Sequence, residues 1–305
     1  MSVLLDEYFK GKAEVERLGF NIKSPQYIPQ GYLDQKFFVV FRTCQSYGDW
    51  VQISCIPRFL KTKYPDSTVV VPSPVCIGKY FSPQNWLNRS SNPFDNVIQV
   101  NENNPYIDGM IDEIPNGMPV YHDHFRIHDL DNMLVPLSEQ ILKYWRFDPK
   151  EITNSAPELY WDDTEKIKGE SAIQDFIGEL FGFLYIDDSF YETIDGNIPP
   201  LTIKRERLQF LINQFDNGIT WVYYAGKDIS ETFYKTKGKA IDVRSLGISL
   251  RVQQYIKSKS KLVIGHQGGY GTDAISRYTD CYVIPLNCGA TGEHFIRTTE
   301  YIPHP

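Results

Sequence analysis

The chain has 305 residues, 42% hydrophobic and 23% charged, an ordinary globular composition with length for one large α/β domain or two of usual size. A net charge of −7 argues against nucleic acid or an anionic membrane surface as the main partner and leaves local basic clusters free to hold a small anion. Five cysteines without CxxC spacing read as free thiols, no run reaches the length of a membrane span, and the N-terminus is acidic where a secretion signal is basic, so a soluble cytoplasmic protein is expected.

Leu4, Leu5, Tyr8, Phe9, Val15 and Leu18 fall at helical spacing before Gly19, which predicts an outer amphipathic helix within an N-terminal extension, residues 1–35. From Lys36 strand and helix patterns alternate. FFVVF (37–41) is a continuous β-branched and aromatic run of the kind buried on both faces of a parallel sheet. The polar loop RTCQSYGD follows, and WVQISCIPRFLKTKY reads as one helix with Pro57 inside it, ended by Tyr64-Pro65. TVVVP (68–72) is a second strand and NVIQV (96–100) a third, giving βαβ order. Residues 101–135, rich in Asn, Asp, Pro and Gly, are the least regular. Leu137 to Trp145 reads as a helix and Phe147 to Pro157 as a connection, with a domain boundary near 150–175.

The second half repeats the scheme. FGFLYI (181–186) and TWVYYAG (220–226) are strands, with a helix from Ile203 to Phe215 between them. Ala240, Ile241 and Val243 suggest a short strand around Asp242, Leu250 to Ser258 a helix, and CYVIPL (281–286) the last strand. Between these lies KLVIGHQGGYGTDAISRY (261–278), where an apolar run enters a loop carrying Gly265, Gly268, Gly269 and Gly271 and a helix-like segment follows from Thr272. Glycine permits positive φ and close backbone approach, and the following helix would offer unpaired N–H groups, so a phosphate-bearing ligand is the first inference. The loop fits neither GxGxxG nor GxxxxGK[ST]. The chain-order reading is two Rossmann-like domains, residues 1–160 and 161–305, facing a cleft. The loops at 42–49, 187–202, 226–238 and 265–272 would lie at the carboxyl ends of strands.

FFVVFRTCQSYGDWVQISCIPRFLKTKYPDSTVVV resembles the opening block of the ADP-heptose:lipopolysaccharide heptosyltransferases: a strand, a polar loop ending in Gly-Asp, a helix with a proline and a Tyr-Pro-Asp-like turn into the next strand. IDVRSLGISLRVQQYIKSKSKLVIGHQGGYGTDA is similar to that family's later block, an Asp-containing strand, a helix, an LVIG strand and a glycine loop. The resemblance implies the GT-B fold, doubly wound α/β, with an N-terminal acceptor domain and a nucleotide-sugar donor held mainly by the C-terminal domain. It implies glycosyl transfer to a glycan or glycolipid hydroxyl, with no metal ion or other cofactor. Where the family's glycine loop carries an acid and a histidine, this chain has Gln267 and Thr272, so the donor sugar need not be a heptose.

Sugar transfer needs a base for the acceptor hydroxyl and charge stabilisation for the leaving diphosphate. Asp49 matches the acid that the resemblance implies as base; the bland alternative is an N-cap for a helix starting at Trp50. Ser46 and Gly48 of the same loop belong to the acceptor side. Donor-side candidates are Gly265, His266, Gln267, Gly268, Gly269, Tyr270, Gly271, Thr272 and Asp273, with Thr272 also offering a hydroxyl. Lys204 and Arg205, with Arg207, open a helix where the resemblance places a phosphate-neutralising cation; a solvated face is the alternative. Gly226 and Lys227 either border the nucleotide or form a surface turn, and Asp242 either meets a ribose or accepts backbone bonds. The run YHDHFRIHD (121–129) has the HxH spacing of a metal site, yet reads better as an acceptor-side loop through His122 and His124. Two other readings stay open: a sugar-nucleotide epimerase or hydrolase on the same scaffold, and a nucleotide-sugar-binding protein without catalysis.

Overall fold

Phe38, Val39, Val69 and Val71 are fully buried on both faces of their strands, as continuous apolar runs require when helices cover a parallel sheet on either side. The structure is a computed structural model describing residues 30–41, 47–80, 93–116, 142–143, 145–186, 201–225, 234–266, 275–284 and 301–302. By its internal contacts the chain divides into two compact units, Met1–Ser155 and Ala156–Pro305.

In the first unit, α1 (Gln30–Asp34) leads into β1 (Phe37–Val39), followed by α2 (Tyr47–Ile53), α3 (Ile56–Lys63), β2 (Thr68–Pro72), α4 (Pro74–Tyr80), α5 (Pro93–Asn101) and β3 (Gly109–Ile111). The strands form a parallel sheet in the order β1-β2-β3, with Phe37 opposite Thr68 and Val70 opposite Gly109. Trp50 and Ile53 from α2 and Ile56 and Leu60 from α3 complete the core. Asp108, just before β3, accepts from Val69 N at 2.7 Å and from Lys61 Nζ at 2.9 Å, tying α3 and β2 to the third strand. Burial pushes the Asp108 carboxyl up, but the Lys61 ammonium and the Val69 N–H outweigh it and hold the group below the usual carboxylate range.

Two expectations fail in this unit. The segment expected as one helix is two, broken at Ser54–Cys55, and Pro57 sits at the start of α3, where its missing N–H costs nothing. NVIQV is helical, as part of α5. Val97 and Val100, one turn apart, are both fully buried, and the Asn101 side-chain amide donates to the Val97 carbonyl at 2.9 Å. The third strand is GMI at 109–111, inside the stretch expected to be least regular. Only 142–143 and 145 of the expected Leu137–Trp145 helix are described, and the expected helix at 3–18 lies outside the described residues.

The second unit runs α6 (Asp163–Ala172), continuing as a π turn to Ile177, then β4 (Phe181–Ile186), α7 (Leu201–Phe215), β5 (Thr220–Ala225) and β6 (Ala240–Asp242). A 3-10 turn (Val243–Leu246) follows, then α8 (Leu250–Lys259), β7 (Leu262–His266), β8 (Asp280–Ile284) and β9 (Tyr301–Ile302). The sheet order is β6-β5-β4-β7-β8-β9, parallel except for the β8–β9 pair. On one face Leu208, Leu211 and Ile212 of α7 close over Leu184, Ile186, Trp221, Tyr223 and Ile264. Gly182 is obligatory there, because a Cβ would run into the Trp221 ring. Burying this set contributes roughly 1.5–3 kcal/mol per large side chain.

On the other face α6 and α8 are joined by polar clamps. Arg251 Nε reaches Glu165 at 2.5 Å, Arg251 also donates to the Tyr160 carbonyl, and Tyr255 OH donates to Glu170 at 2.6 Å. The α6 start carries a capping box, Asp162 with Glu165. Among the described residues no helix is long and apolar enough to cross a membrane.

Candidate functional site

Strand order decides where a ligand can bind in the second unit. From β4 the chain winds outward through β5 to β6, then returns to the opposite side of β4 for β7 and β8. The strand order therefore reverses between β4 and β7, and the carboxyl ends of these two strands, Ile186 and His266, stand at the switch point that open α/β sheets use for ligands. Gly265 stands one residue before that end, opposite Tyr185. Its φ is +155°, and a Cβ would overlap the Tyr185 carbonyl oxygen, so β7 approaches β4 here in a way only glycine allows.

The chain returns from the glycine-rich stretch at the turn Ile275–Tyr278, which is firmly anchored. Tyr278 OH donates to the Leu159 carbonyl at 2.5 Å and accepts from Leu159 N at 3.0 Å, while Arg277 lies 3.1 Å from the fully buried Glu158 carboxylate. Both ends of the stretch are thus held by the sheet and by residues 158–159. Burial, reinforced by the Glu158 charge against the Leu159 bond and Arg277, pushes the Tyr278 phenol up to about 12. A folded pKa above the unfolded value near 10 stabilises fully below pH ~10, and that contribution is lost as pH rises through ~12. Equilibrium unfolding should therefore lose about 2–3 kcal/mol across that window. Tyr278→Phe should cost roughly 1–3 kcal/mol at neutral pH and flatten the alkaline fall; an unchanged fall would assign it to other groups.

A second cluster lies along the carboxyl edge on the α8 face. The rings of Tyr185 and Tyr224 stack at 6.0 Å and 26°, and the Arg244 guanidinium lies 5.3 Å from the Tyr224 centroid. Lys257, buried in α8, places Nζ 5.5 Å from the Tyr185 ring and 5.4 Å from that of Phe183. Asp242, at the end of β6, caps the 3-10 turn through Arg244 N at 2.9 Å and grips the Arg244 side chain, Nε to Oδ1 at 2.9 Å and Nη2 to Oδ2 at 2.5 Å. The hydrogen bond to Asp242 also raises the Arg244 pKa further. Of the two roles left open for Asp242, the backbone-capping one is therefore present. Arg244 and Tyr224 were not among the sequence candidates; the readable signal was a cation two residues beyond a strand-ending acid.

Of the other donor-side candidates, Lys204 and Arg205 occupy the first turns of α7, with Arg205 half-buried. Only the backbone is described for Lys204, His266 and Asp49. Gly226, Lys227, Gln267, Gly268, Gly269, Tyr270, Gly271, Thr272 and Asp273 lie outside the described residues, as do Ser46, His122 and His124. Gly48 and Asp49 are the second and third residues of α2, which begins at Tyr47 rather than Trp50. Asp49 is therefore inside the first turn and not an N-cap. The first unit adds a polar pair that sequence reading missed: Ser73 Oγ, just beyond β2, donates to Asp112 Oδ1 at 2.5 Å just beyond β3. Among the described residues no group of three His, Cys, Asp or Glu side chains is placed to hold a metal ion.

Three solved structures match the chain at low similarity. A glycosyl transferase family 9 protein from Veillonella parvula matches at 14% identity and a TM-score of 0.44, over 86% of this chain and 85% of its own. POFUT1 in complex with GDP-fucose matches at 13% identity and a TM-score of 0.34, over 83% of this chain and 92% of its own. POFUT1 in complex with GDP matches at 13% identity and a TM-score of 0.34, over 79% and 92%. No family profile and no curated protein sequence matches the chain.

Proposed function

We propose that the protein is a GT-B glycosyltransferase that moves a sugar from a nucleoside-diphosphate sugar to a hydroxyl of a glycan acceptor, without a resident metal. The observation that carries this reading is the reversal of strand order beside Gly265, where the strand bearing the glycine-rich stretch meets β4 at the carboxyl edge. Lys204, Arg205 and Arg207 add support. Lys204, in the first turn of α7, opposes the helix macrodipole by about 0.3–1 kcal/mol, a cost that a bound diphosphate would offset, and Arg205 and Arg207 follow in the next turn. In this reading the donor belongs to residues 161–305, and residues 1–160 receive the acceptor with Asp49 as general base. Cys55, Cys76 and Cys281 are buried, in keeping with thiols of a reducing compartment.

The test is thermal unfolding of the whole chain against nucleoside diphosphates and nucleotide sugars. A ligand at one hundred times its dissociation constant stabilises by about 2.7 kcal/mol, a shift of several degrees. A selective shift with at least one nucleotide is the expected result; a flat response to every one of them would refute the reading.

A further inference from the structure

The Arg244 guanidinium is fixed on one edge and unoccupied on another. Asp242 takes its Nε–H and one Nη2–H, and the Tyr224 ring lies against its face. Of the five N–H donors of a guanidinium this leaves the Nη1 pair and the outward Nη2–H. No acceptor among the described residues engages them. One Nη1–H and the outward Nη2–H form a planar two-donor fork, set at the carboxyl end of β6 next to the stacked Tyr224 and Tyr185 rings.

The chemistry of the complementary group follows from charge and shape. With Asp242 in a bidentate grip the pair is close to neutral, so it holds a phosphate weakly compared with a free arginine. What remains is directional: two parallel donors in the plane that Asp242 and the Tyr224 ring set for the guanidinium. That matches a planar, uncharged ring with two adjacent acceptors, and among purines guanine supplies them as O6 and N7. Adenine turns an amino donor toward the fork, leaving one N–H facing another donor. Resting on the nucleotide-sugar reading above, we propose that Arg244, held by Asp242 and Tyr224, reads the base of the donor and selects a guanine nucleoside diphosphate. The sequence resemblance leaves the base of the donor open.

Calorimetric titration of the full chain with GDP, ADP, UDP and CDP tests it, alongside Arg244→Lys, which keeps the charge and removes the fork. The parent should bind GDP about 10- to 100-fold more tightly than ADP, and Arg244→Lys should bring the two close to parity. The ligand-free melt controls for folding. Should Arg244→Lys fail that control, Asp242→Asn keeps the guanidinium, releases its clamp and should also lose the selectivity. A parent that prefers ADP, UDP or CDP, or selectivity surviving in the folded variants, overturns the base assignment and leaves the nucleotide-sugar reading standing. Failure to bind any of the four diphosphates overturns both.

Discussion

Gly265→Ala is expected to destabilise the second unit by roughly 3–5 kcal/mol, at the upper end for a single substitution. Two costs add. At φ +155° an alanine is held in a conformation that L residues rarely adopt, worth about 1–3 kcal/mol. Its Cβ would also overlap the backbone carbonyl of Tyr185. Carbonyl oxygens have no rotamer to change, so relief requires β7 to move away from β4 at the centre of a six-stranded sheet, weakening the Leu184–Ile264 and Tyr185–Gly265 register. Strands are displaced at the crevice itself, so nucleotide binding should fall with stability. Denaturant unfolding of Gly265→Ala beside Gly31→Ala checks this. Gly31 is an exposed helical position with nothing near its missing Cβ, where alanine should be neutral or stabilising by up to about 1 kcal/mol. If both variants unfold alike, β7 does not approach β4 as described.

The parts of this fold legible in the sequence are those where local pattern and burial agree. FGFLYI, TWVYYA and LVIGH are apolar runs because they are central strands covered on both sides, and each stands where its pattern places it. NVIQV carries the same β-branched residues, yet packing of Val97 and Val100 one helical turn apart overrides strand propensity, with Pro93 well suited to a helix start. GMI gives almost no signal, being three residues with a glycine first and Met110 exposed. Helix α6 has little amphipathic contrast because Gly169 fits under the Tyr255 ring and its contacts to α8 are largely polar; the capping box at Asp162 and Glu165 was its one readable mark. The site was less legible for a different reason. Sequence order puts β6 and β7 next to one another, whereas the sheet places β5 and β4 between them. The Arg244–Tyr224–Tyr185 row joins residues from three strands' ends, and pattern within any one strand cannot reveal it. Asp242 reads in sequence only as an acid on a short strand, whereas in the fold it is half of an ion pair with Arg244.

Asp49→Asn is expected to lower sugar transfer by about 10²- to 10⁴-fold while leaving nucleotide affinity and stability nearly unchanged. Asp49 is the third residue of α2, the helix that follows β1 in chain order, and an acid there gains only about 0.3–1 kcal/mol from the helix macrodipole. An amide of the same shape therefore loses little structurally. An acceptor hydroxyl, by contrast, must shed its proton as the glycosidic bond forms; a carboxylate takes it and a carboxamide cannot. Loss of general-base catalysis by that factor amounts to about 3–5 kcal/mol of barrier, several times the structural effect. Initial rates of nucleoside diphosphate release with acceptor present, set beside the nucleotide dissociation constant and the melting temperature, separate the two. A fall in rate alone identifies the base, and a parallel fall in melting temperature assigns Asp49 to the helix. Turnover near that of the parent would leave the acceptor proton to another carboxylate, with Asp112 beside Ser73 at the ends of β2 and β3 the next to substitute.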